Sequence, residues 1–121
     1  MIEIKIAISS DNHLDVNKVN ISDALEFQAH WLNTNHLDYY LYAGDLFNDF
    51  SKTKAYFEQL QQLTTNTRIA YILGNHDMLN NLSFSEAEHS HFPSYIHNQF
   101  IDLPNSDWRI IGNNGWYDYS F

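Results

Sequence analysis

Ile2, Ile4, Ile6 and Ile8 alternate with Glu3, Lys5 and Ala7 at the start of the chain. Period-two alternation of β-branched residues predicts a strand, and the polar Ser9, Ser10 and Asp11 end it. Over residues 22–35 the period lengthens. Leu25, Ala29 and Leu32 fall on one helical face, with Ala24, Phe27 and Trp31 beside them. Asp23 and Glu26 suit the positive end of that helix. A second apolar run, DYYLYAGD, closes on Gly44 and Asp45. Tyr56, Leu60 and Leu63, at i, i+4 and i+7, predict a second helix from Ser51. A third run, RIAYIL, closes on Gly74 and Asn75. Strand, helix, strand, helix, strand is the order of right-handed crossovers in a parallel sheet, so the fold class is α/β. Past residue 80 the pattern weakens to a short helix over 85–91 and short strands in YIH, QFIDL and WRIIGN.

The 121 residues suffice for one domain, taken as 1–121. Hydrophobic residues make up 44% and charged residues 17%, the balance of a chain that buries a core. No run reaches the roughly 20 apolar residues of a membrane span. The alternating start reads as a strand and not as a signal peptide, so a cytoplasmic location is expected. The absence of cysteine excludes disulfides and thiolate metal sites. A net charge of −9 disfavours nucleic acid as a partner, because it repels a phosphate backbone. It does not disfavour small phosphate esters, since bound cations reverse the local field.

Each of the three predicted strands ends on side chains that bind metals or move protons. The first supplies Asp11, Asn12 and His13, the second Asp45, and the third Asn75, His76 and Asp77. Open parallel sheets bind ligands just beyond the carboxyl ends of their strands, which would gather these residues into one cleft. Carboxylate, imidazole and amide oxygen together suit Mn, Fe, Zn or Mg. Taken singly, each group also reads as an ordinary polar turn. Asn113, Asn114 and Asp118 follow another predicted strand, either facing the cleft or forming a Gly-rich turn. His89 and His91 read as surface residues on a helix, and His30, His36 and His97 as surface or helix-end residues. The stretch DNHLDVNK spaces oxygen ligands like a calcium loop, but Val16 and Ser22 stand where such a loop needs Gly and Glu. A flavodoxin-like regulatory domain could use Asp45 as a phosphoacceptor, but it needs a late Lys, and none follows Arg109.

The D-x-H, G-D and G-N-H-D motifs, in this order and with one helix between each pair, resemble those of the calcineurin-like metallophosphoesterase superfamily. The later IIGNNGWYDYSF is similar to a stretch of its bacterial phosphohydrolases. The resemblance implies a two-sheet α-β-β-α sandwich, of which these strand–helix repeats form part. It implies a hydrolase of phosphomonoesters or phosphodiesters with two divalent ions. Asp11 and His13 would hold the first ion, Asp45 would bridge both, and Asn75 would hold the second. His76 would give a proton to the leaving group, and Asp77 would orient or charge-stabilise the His76 imidazole. Apart from the resemblance, the polar end of the predicted strand WRIIGNN offers Asn114 and Asp118 as substrate contacts. The family pattern continues with a lone His and a G-H-x-H motif that these 121 residues do not contain after GNNGWYD. The expectation is therefore a domain lacking its C-terminal half, with an incomplete second metal site and weak or no activity. The alternative is a non-catalytic metal-binding module that associates with itself through exposed apolar surface.

Overall fold

The tetrad YYLY has no polar face, so a strand built from it must be covered on both sides. In the computed structural model, which describes residues 3–15, 17–78 and 84–115, this segment is the central strand of a three-stranded parallel sheet. The strands are β1 (Ile6–Ser9), β2 (Tyr39–Tyr42) and β3 (Arg68–Tyr71), in the order β1-β2-β3. Ile6 pairs with Tyr39, and Tyr39 with Arg68. Helix α1 (Ile21–Thr34) joins the first two strands and α2 (Phe50–Leu63) the next two. Successive right-handed crossovers that advance in one direction put both helices on the same face.

That face holds the larger core. Leu25, Ala29 and Leu32 of α1 and Phe57 and Leu60 of α2 meet Tyr40, Tyr42, Ile69 and Tyr71 of the sheet. Phe57 stacks on Tyr71 with centroids 4.5 Å apart, and Tyr71 stacks in turn on Tyr95 at 5.6 Å. Helix α1 begins one residue earlier than the periodicity predicts. Asn20 caps it by accepting from the Asp23 N–H at 3.1 Å. Asp49 caps α2 in the same way through the Ser51 N–H at 2.9 Å.

The opposite face is covered by a second, two-stranded antiparallel sheet of β4 (Gln99–Asp102) and β5 (Arg109–Gly112). Ile101, Leu103 and Ile110 pack there on Tyr39, Leu41 and Ala70. The layers thus run helices, parallel sheet, second sheet, as expected of part of a two-sheet sandwich. The predicted strand in YIH is only a bridge, Tyr71 to Tyr95. Helix α3 (Phe84–His89) ends two residues short of the sequence expectation. His97, read from sequence as a surface residue, is buried: its Nδ1 accepts from the Asn114 N–H at 2.9 Å, and its ring stacks on Tyr95. No helix among the described residues is long and apolar enough to cross a membrane.

Phe57 is fully buried between helix and sheet, so its truncation removes both transfer energy and packing. Phe57→Ala is expected to cost about 3–5 kcal/mol in urea unfolding. Val19→Ala, at an exposed position, is expected to change stability by under about 0.5 kcal/mol. Comparable losses for the two would contradict this placement of the core.

Candidate metal centre

The carboxyl ends of β1, β2 and β3 lie side by side, and main-chain bonds prolong the pairing into their loops. The Asp11 N–H donates to the Gly44 carbonyl at 2.9 Å, His13 N–H to the Asp45 carbonyl at 3.1 Å, and Leu14 N–H to the Leu46 carbonyl at 2.8 Å. The Tyr42 hydroxyl ties the same loops. It accepts from the Asn12 N–H at 2.8 Å and donates to the Asp45 carbonyl at 3.3 Å. Burial pushes this phenol well above its ordinary range, so it stays neutral and able to donate.

The backbone is left-handed at Asp11 (φ 61°), His13 (φ 45°) and Asp45 (φ 65°). This conformation costs non-glycine residues roughly 1 kcal/mol or more, and such strain gathers at functional sites. Gly44 is also left-handed, with φ 98°. A Cβ there would stand 2.5 Å from the Gly74 nitrogen, and a Cβ on Gly74 would run into the Asp45 carboxylate. The two glycines let the loops touch main chain to main chain, with the Asp45 side chain lying over Gly74.

Asp77 locks this contact. Its carboxylate is fully buried. One oxygen accepts from the N–H groups of Asp45 (2.6 Å) and Gly74 (2.9 Å). The other accepts from Leu46 N–H (3.1 Å), Phe47 N–H (3.2 Å) and the Thr53 hydroxyl (2.6 Å). A buried carboxylate with this many donors is satisfied without a cation partner. The sequence expectation for Asp77 is corrected here: its oxygens are taken up by the β2 loop, Gly74 and α2, and they do not orient the His76 ring. That part falls to Asn48, whose Oδ1 lies 3.0 Å from His76 Nδ1. Asn48 is held in turn by its N–H, which donates to Asp15 Oδ2 at 2.9 Å.

The clamp brings together the groups that could hold an ion. Asp11, His13 and Asp45 each offer a ligand atom, all within 4.8 Å of one another. His13 Nε2 is 3.6 Å from an Asp11 oxygen. The Asp45 carboxylate accepts from the His76 N–H at 2.9 Å, which fixes its direction. Burial, and then the nearby carboxylates of Asp11 and Asp77, push Asp45 up from its ordinary value. Hydrogen bonds from Ser10 and Asp45 hold Asp11 down. Crowding the Asp45 and Asp11 carboxylates costs free energy that a nearby positive charge offsets. A divalent cation is such a charge, and the donor set of two carboxylates and an imidazole suits one.

The Asn75 side-chain amide stands 3.3 Å from both Asp45 oxygens. With nitrogen inward it donates to both; with oxygen inward the three oxygens form a set that attracts a cation. A half-turn of the amide interchanges the two. His76 closes the other side, its ring edge-on to His13 with centroids 4.7 Å apart.

Asn114 departs from its expected place against substrate. Its Oδ1 accepts from the Leu73 N–H at 2.8 Å and its Nδ2 donates to the Tyr95 hydroxyl at 2.8 Å. The amide is used up in joining the second sheet to the end of β3. Asp118 lies outside the described residues. His89 and His91 are exposed. Among the participants, Asn48 and Thr53 escaped the sequence reading. Asn48 had a signal in GDLFND, three residues after Asp45, whereas Thr53 had none beyond being polar on the helix face that packs inward.

The calcineurin-like phosphoesterase family model matches residues 4–120 of the chain. No curated protein gave a match, and no solved structure did.

Replacing Asp77 by Ala strands several buried N–H groups. This variant is expected to lose at least about 3 kcal/mol in urea unfolding. Thr53→Val removes one bond to the same carboxylate and is expected to cost about 1.5–3 kcal/mol. A loss under about 1 kcal/mol for Asp77→Ala would show that the carboxylate does not hold the loops.

Proposed function

The chain belongs to the calcineurin-like phosphoesterase family, and from that premise we propose that it hydrolyses phosphomonoesters or phosphodiesters with the help of divalent cations. The observation that carries the reading is the convergence of Asp11, His13 and Asp45 at the ends of adjacent parallel strands. Asp11 and His13 would hold a first ion, and Asp45 and the Asn75 amide oxygen would be available to a second. Mn, Fe, Zn and Mg all accept these donors. When bound, the ions lower the pKa of water and offset charge on the phosphoryl oxygens.

The remaining work belongs to the chain. His76 faces the cleft beside His13 and keeps Nδ1 against the Asn48 oxygen. With Nδ1–H so engaged, Nε2 is the ring nitrogen left to act, and in the doubly protonated imidazolium it would give its proton to a leaving-group oxygen. Asp77 acts at a distance, by holding Asp45 and Gly74 in place.

The lone His and the G-H-x-H motif of the family pattern do not occur after GNNGWYD in these 121 residues. On this reading the chain is one domain carrying the N-terminal half of the family pattern. The first ion is then the better held, and hydrolysis by this chain alone is weak. Small phosphate esters suit a chain of charge −9 better than nucleic acid does. The second reading is a module that binds cations without catalysis. It is favoured by the fact that the described residues complete only the first ligand group.

The test is hydrolysis of p-nitrophenyl phosphate and of bis(p-nitrophenyl) phosphate with Mn²⁺. The proposal expects slow turnover that falls by about 100-fold or more in Asp45→Asn and in His76→Ala. Asn75→Ala should lose less than Asp45→Asn, because it touches one ion and not both. Equal, small losses for Asp45→Asn and Asn75→Ala would contradict a bridging Asp45. Saturable Mn²⁺ binding with no turnover above that of the Asp45→Asn variant would favour the non-catalytic module.

A further inference from the structure

Two carboxylates divide the donors of the loop that follows β2. Asp77 takes the consecutive N–H groups of Asp45, Leu46 and Phe47. The next N–H, that of Asn48, donates instead to Asp15 Oδ2 at 2.9 Å. Asp15 reaches it from the β1 loop, which is tied alongside by the bond from Leu14 N–H to the Leu46 carbonyl. Asp77 thus sets the end of the β2 loop that carries Asp45, and Asp15 sets the end that carries Asn48.

Asn48 Oδ1 lies 3.0 Å from His76 Nδ1. An amide oxygen only accepts, so this bond places the ring proton at Nδ1 and leaves Nε2 for the cleft. His13 meets the same ring edge-on, with centroids 4.7 Å apart. An edge contact limits the tilt of the ring but does not choose between its two nitrogens; the bond to Asn48 does. The aim of the Asn48 oxygen follows from the main chain that carries it, because a side chain with two torsions has few places to put its end.

The other Asp15 oxygen, Oδ1, is buried and has no hydrogen-bond partner among the described residues. Burying a carboxylate oxygen in this way costs free energy, and folds accept such a departure chiefly at functional sites. Asp15 stands outside the Asp11, His13 and Asp45 group, so a cation held there does not need it. We propose that Asp15 is a positioning residue for proton transfer: through Asn48 it holds the His76 imidazole with Nε2 toward the leaving group. The chemistry rests on the hydrolase reading; the geometry of the ring does not. As the P–O bond breaks, its electron pair goes to the leaving oxygen, which takes the proton from Nε2 of the imidazolium. The more basic that oxygen, the more the reaction depends on the proton.

Two measurements test this, and the first needs no turnover. Long-range proton–nitrogen correlation spectra of His76, assigned with His76→Gln, are recorded on the metal-free 121-residue chain in mildly alkaline buffer. The wild type and Asp15→Asn, which keeps an acceptor for the Asn48 N–H, are expected to carry the ring proton at Nδ1. Asp15→Ala is expected to show both tautomers. The second is hydrolysis of phenyl phosphate and p-nitrophenyl phosphate with Mn²⁺. Asp15→Ala is expected to lower kcat on phenyl phosphate at least about 10-fold more than on p-nitrophenyl phosphate, with KM little changed, and Asp15→Asn is expected to recover most of the loss. In an Asn48→Ala background Asp15→Ala should add nothing further. Should Asp15→Ala fail to fold, Asp15→Ser is read in its place. A wild-type ring protonated at Nε2, or a tautomer that ignores the loss of Asp15, overturns the proposal, and so do equal losses on the two esters. A tautomer that depends on Asp15 in a chain that hydrolyses neither ester would support the positioning and overturn the hydrolase reading alone.

Discussion

One buried carboxylate holds the candidate site together. Asp77 collects the main-chain donors that β2 and β3 leave unpaired where they end, and it adds the Thr53 hydroxyl from α2. Loops that turn sharply out of a sheet leave polar main-chain groups in a dry place, and each needs a partner. Here a single side chain satisfies four N–H groups and welds two strand ends to a helix. The left-handed backbone at Asp45 and the close contact of Gly44 with Gly74 are tolerable because this network over-determines them. The direction of the Asp45 side chain follows from that geometry, and so does its nearness to Asp11.

The wider fold serves the same end. The strand order β1-β2-β3, with both helices on one face, leaves the other face to the β4–β5 sheet. Asn114 fastens that sheet to the tip of β3 by bonding Leu73 and Tyr95, directly behind the residues of the site. The helix layer stiffens the site from the other side, through the aromatic column of Phe57, Tyr71 and Tyr95. Ligands placed on such short, packed arms lose little entropy when a cation arrives.

Much of this is legible in the sequence. The apolar runs closing on Gly-Asp and Gly-Asn and the 3.6-residue spacing of Leu25, Ala29 and Leu32 place β2, β3 and the first helix closely, whereas the period-two isoleucines from Ile2 find the first strand but start it before Ile6, where its pairing begins. Local chemistry dictates them, and tertiary packing does not override it. The convergence of the three strand ends follows from topology alone. The pairing of particular side chains was beyond reach. Asp77 follows His76 directly, which suggests that the two act together, yet its side chain turns inward, away from the cleft. Asn48 is 28 residues from His76 in sequence and beside it in space. Asn114 sits after a strand, the usual place of a ligand in this sheet, yet its amide goes to a strand end and a tyrosine. His97 looks like any surface histidine until Tyr95 and Asn114 enclose it. Each of these depends on which way a short polar side chain points, and a linear pattern does not record that.

The central claim is that the folded loops present Asp11, His13 and Asp45 as one cation site. The most direct measurement is a calorimetric titration of Mn²⁺ into the wild-type chain and into Asp45→Asn at neutral pH. The account predicts saturable binding of an ion by the wild type, abolished or weakened by about 100-fold in Asp45→Asn while the variant remains folded. Absence of binding by the wild type, or equal affinity in the two proteins, would contradict it.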